Sequence, residues 1–277
     1  MIDNEITKKL LAKKEYGFDD LVTIIGLLRA PGGCPWDAEQ THASIRKDLI
    51  EETYELVEGI DLADNAMMRE ELGDVLLQVV FHAQIARDEG AFDINGVCND
   101  ICEKLIVRHP HVFGEVTVKS SEEVLKNWDA IKNRTKHRDT DTDVLRSISQ
   151  ALPALMRAQK LGSKCRKWGF DFENVYDASE KVREELDESI AAYESGDKSA
   201  TEEEFGDLLL AVVNAARLAG VDAEKALYNA NEKYISRFEK VEKLCLEHGK
   251  SVSETSAEQK EEFWRRAKES STGERDN

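Results

Sequence analysis

The sequence predicts an all-α protein made of tandem duplicated helical-bundle domains built on antiparallel helix hairpins. Three observations predict it. First, apolar residues recur at helical spacing through most of the 277 residues, and no strand-like alternation of useful length interrupts them. Second, an acidic pattern occurs twice: Glu52, Glu55, Glu71 and Asp74 return as Glu185, Glu188, Glu204 and Asp207, each shifted by 133 positions (52 to 185, 74 to 207). Gly73, Leu76 and Leu77 return at the same offset as Gly206, Leu209 and Leu210. One acidic cluster is unsurprising among 56 Asp plus Glu, but two with identical internal spacing mark a duplication. Third, each set is symmetric about a turn. Positions 52 and 74, and 55 and 71, centre on Ala63; 185 and 207, and 188 and 204, centre on Gly196.

The elements follow in chain order. Residues 18–28 are apolar at helical spacing. Residues 44–60 carry Ile45, Leu49, Leu56 and Ile60 on one stripe, edged by Glu52 and Glu55. Residues 61–65 read as a turn, and residues 67–87 carry Leu72, Val75, Leu76, Val79 and Ala83, edged by Glu71 and Asp74. Gly90 stops that helix, Asp93 caps the next, and Pro110 ends it near position 108. A further helix is expected over 122–133, and polar residues 136–143 read as a linker. Helices are then expected near 145–165, 177–194, 199–219, 222–247 and 258–269, with 195–197 as the second hairpin turn and a polar tail from 270. The 222–247 helix is expected to bury Ala226, Leu227 and Ala230. The domain reading is 1–136, a linker over 137–143, and 144–277.

Composition bounds the function. The formal charge of −18, from 38 basic and 56 acidic residues, weighs against direct nucleic-acid binding, which needs a basic surface. No stretch approaches the roughly 20 continuous apolar residues of a membrane span. The first residues lack the basic-then-apolar pattern of a secretory signal, and five scattered cysteines form no disulfide framework, so a reducing cytoplasm is expected. Cys98 and Cys102, four apart on a helix, are expected to be buried thiols and not half of a zinc site.

The acidic pairs carry the chemistry. Residues three apart on a helix share a face. Folding each hairpin brings Glu55 level with Glu71, roughly 12 Å from the turn at about 1.5 Å per residue. Four facing carboxylates repel unless protonated or bound to a cation. Oxygen donors without histidine select hard ions, so Mg²⁺, with Mn²⁺ as substitute, is the expected cofactor. The plain alternative, a solvated acidic helix face, suits one Glu-x-x-Glu better than a duplicated, turn-symmetric set.

The runs Gly32-Gly-Cys-Pro-Trp-Asp-Ala-Glu-Gln-Thr41, Glu51-Glu-Thr-Tyr-Glu55, Glu70-Glu-Leu-Gly-Asp74 and Arg108-His-Pro-His-Val-Phe113 closely resemble the MazG family. In the second half, Leu152-Pro-Ala-Leu-Met-Arg-Ala-Gln-Lys160, Val182-Arg-Glu-Glu-Leu-Asp-Glu188, Glu203-Glu-Phe-Gly-Asp207 and Asn231-Glu-Lys-Tyr-Ile-Ser-Arg-Phe238 extend the resemblance over nearly the whole chain. The resemblance implies two-repeat, Mg²⁺-dependent hydrolysis of nucleoside triphosphates between the α and β phosphates, giving monophosphate and pyrophosphate, in a homodimer. It maps the metal ligands onto Glu185, Glu188, Glu204 and Asp207, triphosphate-binding groups onto Lys181, Lys233 and Arg237, and a nucleotide-pocket aromatic onto Trp264.

Several roles stay open. Glu184 or Glu185 could take the proton of an attacking water. Lys233 and Arg237, four apart, suit either a phosphate clamp or a solvated basic edge; Lys104 and Arg108 repeat the spacing in the first half and favour the clamp. Trp264 suits either base stacking or a hydrophobic anchor. Where the second repeat has Lys181, the first has Asp48, and the last helix has only a partial copy in Trp128 to Lys132, so the second repeat is expected to be the main catalytic one. His109 and His111 are expected to be structural. Two other readings share these features: a narrower dNTP or dUTP pyrophosphatase, and an acidic helical scaffold for a protein partner.

Overall fold

The computed structural model describes residues 4–124, 127, 128, 131 and 140–272, and among them every regular element is helical. The chain divides into two compact units, Met1–Thr135 and Lys136–Asn277. Each is described by itself.

In the first unit α1 (Asn4–Leu11), α2 (Phe18–Arg29) and the short α3 (Pro35–Glu39) lead into a hairpin of α4 (Arg46–Asp61) and α5 (Asn65–Asp88). Then come α6 (Ile94–Arg108) and α7 (Pro110–Phe113). Of the helix expected over 122–133, the described residues are helical, and the others, Lys132 included, lie outside the described set. The hairpin turn needs Ala63 in the left-handed region, φ 53°, and the Asp64 carboxylate caps α5 by accepting from the Ala66 and Met67 amides. Asp93 caps α6 through the Gly96 amide, as the sequence suggests. The core joins Ile25 of α2 to Ile45 and to Val80, Phe81 and Ile85 of α5.

The second unit repeats the plan with α8 (Asp141–Arg146), α9 (Ala154–Lys167), a hairpin of α10 (Val175–Ser195) and α11 (Lys198–Leu218), then α12 (Ala223–Glu247) and α13 (Ala257–Thr272). Its turn uses Gly196 at φ 78° and Asp197, which accepts from the Ser199 and Ala200 amides. These are the positions of Ala63 and Asp64 plus 133. A separate core joins Val241 and Cys245 of α12 to Phe263 and Ala267 of α13.

The structure corrects four expectations. Residues 140–143, read as linker, enter a helix because Thr140 and Asp143 form a reciprocal capping box; residues 136–139 and the tail beyond 272 lie outside the described residues. The single helix expected over 145–165 is two: α8 ends at Arg146, and α9 begins after Pro153, which cannot continue a helix from its N-terminal side and stands at the N-cap position with no side-chain cap. On α12, Ala226 and Leu227 are exposed, and the buried residues are Ala223, Val241 and Cys245. Cys98 and Cys102 are exposed. The side of α6 that carries them faces solvent, together with Ile101, Leu105 and Ile106.

Part of each hairpin's apolar surface is uncovered within its unit. Val57, Ile60, Leu72, Leu76 and Val79 are exposed, and so are their counterparts at plus 133: Ile190, Tyr193, Phe205, Leu209 and Val212. Each unit packs the other side of its second hairpin helix inward and leaves this apolar row uncovered within the unit.

Candidate metal centre

Helical spacing and the hairpin turns place the acids as their symmetry suggests. In the first unit, oxygens of Glu52, Glu55 and Glu71 lie within 4.8 Å of one another; in the second, Glu185, Glu188 and Glu204 do the same. Each trio combines two residues of the first hairpin helix with one of the second. Asp74 and Asp207, the fourth members of the expected sets, stand outside these tight trios but within electrostatic reach. Asp74 adds to the charge felt by Glu52 and Glu71, and Asp207 to that felt by Glu204.

Electrostatics record the crowding. Loss of hydration raises the Glu52 carboxyl above its ordinary range, and the charges of Asp74, Glu55, Glu51 and Asp48 raise it further. Glu71 is raised first by loss of hydration, then by Glu55, Asp74 and Glu52. Glu204 follows suit: loss of hydration comes first, then the charges of Glu188, Glu185 and Asp207. Clustered carboxylates raised in this way fit a hard divalent cation, whose charge offsets the repulsion. Among the described residues no histidine or cysteine joins either trio.

The two centres differ at one cation. Lys181 sits 2.8 Å from a Glu184 oxygen and 2.6 Å from a Glu185 oxygen, and these hydrogen bonds, Glu184 first, hold its ammonium far above the usual lysine range. Glu185 is buried at 6% exposure, so this contact reaches into the cluster. At the same place in the first unit, Asp48 lies 3.6 Å from exposed Lys47 and adds negative charge.

The other expected ligand-binding groups are placed variously. Lys233 is exposed, while Arg237, one turn on, is half-buried with its Nε buried and lacking a hydrogen-bond partner. In the first unit, Lys104 is exposed but Arg108 is buried, its guanidinium 5.0 Å over the Trp128 ring. Trp264 packs against the α12–α13 core with its ring 5.0 Å from Tyr234, and the Lys268 ammonium lies 5.8 Å from it. These contacts tie Trp264 of α13 to α12. The His109 ring meets the Leu105 carbonyl at 2.6 Å, a helix-end contact.

Sequence reasoning missed an arginine with a buried side chain in each unit. Arg29 of α2 donates to the Asp37 and Gln40 carbonyls at 2.6 and 3.0 Å and to the Asp88 carboxylate at 2.8 Å. Arg217 of α11 donates two bonds to Asp171, at 2.6 and 3.0 Å, which hold that carboxyl below its ordinary range. Both fasten the segment that leads into the hairpin. Their signal is hidden in the sequence because the two arginines come from different helices.

The MazG nucleotide pyrophosphohydrolase domain matches this chain twice, over residues 40–113 and 166–242, and the two matches contain the two carboxylate clusters. The chain is 45% identical over 257 residues to the nucleoside triphosphate pyrophosphohydrolase/pyrophosphatase MazG of Thermotoga maritima, covering 92% of this chain and 98% of that one. It is 45% identical over 255 residues to the nucleoside triphosphate pyrophosphohydrolase of Escherichia coli K12, covering 90% and 96%. It is also 45% identical over 259 residues to YabN of Bacillus subtilis, covering 92% of this chain and 52% of that one. With two domain matches, near full-length similarity and one carboxylate cluster per match, the chain belongs to the MazG family of nucleotide pyrophosphohydrolases.

Proposed function

We propose that the protein hydrolyses nucleoside triphosphates between the α and β phosphates with Mg²⁺, or Mn²⁺ in its place, and that the second unit is the principal catalytic domain. The observation that carries this reading is the carboxylate trio of Glu185, Glu188 and Glu204, with Asp207 nearby, inside a family-matched hairpin. These four residues would hold the cation, as Glu52, Glu55, Glu71 and Asp74 would in the first unit. A bound divalent ion supplies charge neutralisation at the phosphate oxygens and acidifies coordinated water.

The remaining work falls to the chain. Water adds to phosphorus, the α–β bridging P–O bond breaks, and pyrophosphate departs with the bonding electron pair. The water proton passes to a carboxylate at the cluster. Glu184 suits that role, because it is exposed and lies beside the buried Glu185. Lys181 and Arg237 would receive phosphate oxygens, with Lys233 at the outer edge. The unpartnered, buried Nε of Arg237 supports a guanidinium kept for a ligand.

Two observations favour a lesser role for the first unit: Asp48 stands where Lys181 would, and Arg108 is sequestered by Trp128. That unit would bind metal and act mainly as a structural partner. The five apolar hairpin positions exposed in both units support a homodimer, in which a second copy covers them. No helix among the described residues is long and apolar enough to cross a membrane, and a cytoplasmic site of action fits the unpaired cysteines.

The test is incubation of the full chain with each NTP and dNTP and Mg²⁺, followed by separation of products. Monophosphate and pyrophosphate in equal amounts are expected. Release of inorganic phosphate with a diphosphate product would overturn the cleavage position, and inertness toward every nucleotide would leave a metal-binding scaffold.

A further inference from the structure

We infer that the first unit contains a proton-operated latch: the paired rings of His42 and His82 hold the segment between α3 and α4 against α5 at neutral pH and release it in acid. The latch stands apart from both carboxylate clusters, and it operates whether or not the chain turns over a nucleotide.

The geometry of the pair defines its chemistry. Nδ1 of His42 lies 2.8 Å from Nδ1 of His82, the ring centroids are 5.1 Å apart, and the planes differ by 7°. The centroid separation equals the nitrogen–nitrogen distance plus one ring radius at each end, so the rings meet edge to edge in one plane. The lone pair or N–H of an imidazole nitrogen lies in that plane. The two Nδ1 atoms therefore share one proton, because two bare lone pairs would repel and two N–H groups would collide.

The surroundings assign the other proton. Nε2 of His42 faces the Glu89 carboxylate at 4.0 Å, which favours an N–H there. His82 Nδ1 is then the donor and His42 Nδ1 the acceptor. That leaves His82 Nε2 as the bare nitrogen of the pair, and it is buried without a hydrogen-bond partner. With the bridge kept, an added proton ends on this nitrogen as a buried donor with nothing to accept it. His82 is accordingly held below the ordinary value of 6.5, first by loss of hydration and then by the charge of His42. The alternative is to protonate Nδ1 of His42, whose side chain is 44% exposed beside Glu89, and that removes the acceptor of the bridge. Opening thus takes up one proton that the closed pair resists, so the closed form loses stability as pH falls below about 6.5.

The other charges on the packed elements belong to groups of a different class. Arg29 of α2 is paired with Asp88 of α5 at 2.8 Å, and Arg87 is opposed by Asp93. Asp37 and Glu39 of α3 and Arg46 of α4 flank the segment, and Lys47 lies 3.6 Å from Asp48. The imidazoles are the groups here whose class titrates between about pH 5 and 8.

The latch sits at the root of the helix that bears Glu52 and Glu55. The approach to α4 is fastened twice: Arg29 holds the Asp37 and Gln40 carbonyls with a permanent charge, and His82 holds His42 with a shared proton. In the second unit Val175 and Ala215 stand at the places of His42 and His82 (plus 133) and cannot share a proton. Its approach to the hairpin is tied by Arg217 to Asp171. Acid thus loosens the approach to one centre and spares the other.

The test is hydrogen exchange of the full-length protein, read by mass spectrometry on peptides covering 37–45 and 170–178 and corrected for the intrinsic rate at each pH. One proton taken up on opening predicts that protection of 37–45 falls by up to about tenfold per pH unit between about pH 6.5 and 5, while that of 170–178 holds. His42→Gln keeps a polar side chain at an exposed site and cannot charge, so its 37–45 protection, at whatever level, should not change over that range. Nitrogen NMR of the wild-type histidine rings above about pH 7 should find His82 protonated on Nδ1 and His42 on Nε2. Constant protection of 37–45 in the wild type, an equal loss in 170–178, or an equal pH dependence in His42→Gln would overturn the latch. So would any other pair of tautomers, because the rings would then share no proton or could take one up with the bridge intact.

Discussion

Lys181 Nζ lies 2.6 Å from the buried carboxylate of Glu185, one helical turn along α10, whereas the first unit has Asp48 beside Glu52. One centre thus contains its own cation and the other an extra anion. Lys181 competes with a divalent ion for Glu185. Lys181→Ala is expected to tighten Mn²⁺ binding to the nucleotide-free protein and to raise KM for NTP about tenfold or more, since the ammonium then no longer meets phosphate. Mn²⁺ titration followed by electron paramagnetic resonance, together with steady-state kinetics, checks both directions.

The carboxylates of the two units should differ in consequence. Glu185→Gln and Asp207→Asn are expected to lower kcat at least about a hundredfold, because each removes a charged oxygen donor from the proposed centre. Glu52→Gln and Asp74→Asn should lower it less than about fivefold by the same reasoning, since the first centre is proposed to do little of the turnover. Equal losses in the two sets would mean that the units act as one coupled site. Divalent ions should also raise the melting temperature of the wild type by relieving repulsion in the folded state, and each neutralised ligand should reduce that rise.

Arg237 is expected to matter for nucleotide and not for folding. Arg237→Ala should lower kcat/KM by about 2–4 kcal/mol, the loss typical of a charge-assisted contact to a developing anion. Without nucleotide its melting temperature should match or exceed the wild type, because a buried Nε without a partner is removed. A much lower melt with normal kcat/KM would make the residue structural.

The Arg217–Asp171 pair gives a signed pH dependence. Its folded carboxyl is held below the ordinary value of 3.8, so its contribution is present above that value and is lost as pH falls through the folded pKa. Asp171→Asn leaves a guanidinium side chain at 6% exposure without its anion, which should cost about 3 kcal/mol at pH 7. The gap between wild type and variant, measured by denaturant unfolding, should persist down to about pH 4 and close below it.

Much of this is legible because helices report themselves through spacing. The hairpins, their turns and the carboxylate trios follow from a period of about 3.6 residues and from symmetry about Ala63 and Gly196. Spacing does not tell which apolar row faces inward, and Leu72, Leu76 and Val79 prove exposed within the unit. Nor does it reveal side chains that exchange roles across helices. The Arg29 and Arg217 pairings depend on what α2 and α11 meet on the far side of a contact. The sequence leaves Trp264 open between stacking and anchoring, and its packing beside the α12–α13 core and Tyr234 is a tertiary fact.

The two hairpin turns, each a left-handed residue followed by a capping aspartate, act as a gauge for the chemistry beyond them. Short surface loops ordinarily absorb insertions well. Here one added residue would either wind into a helix, turning every later side chain by about 100°, or lengthen the link and slide one helix past the other. Either change would separate Glu188 from Glu204 although neither had been altered. The few exposed residues at each turn therefore carry the strictest length requirement of their unit, and the simplest way to disarm a centre while keeping all its ligands is to add one glycine after Gly196.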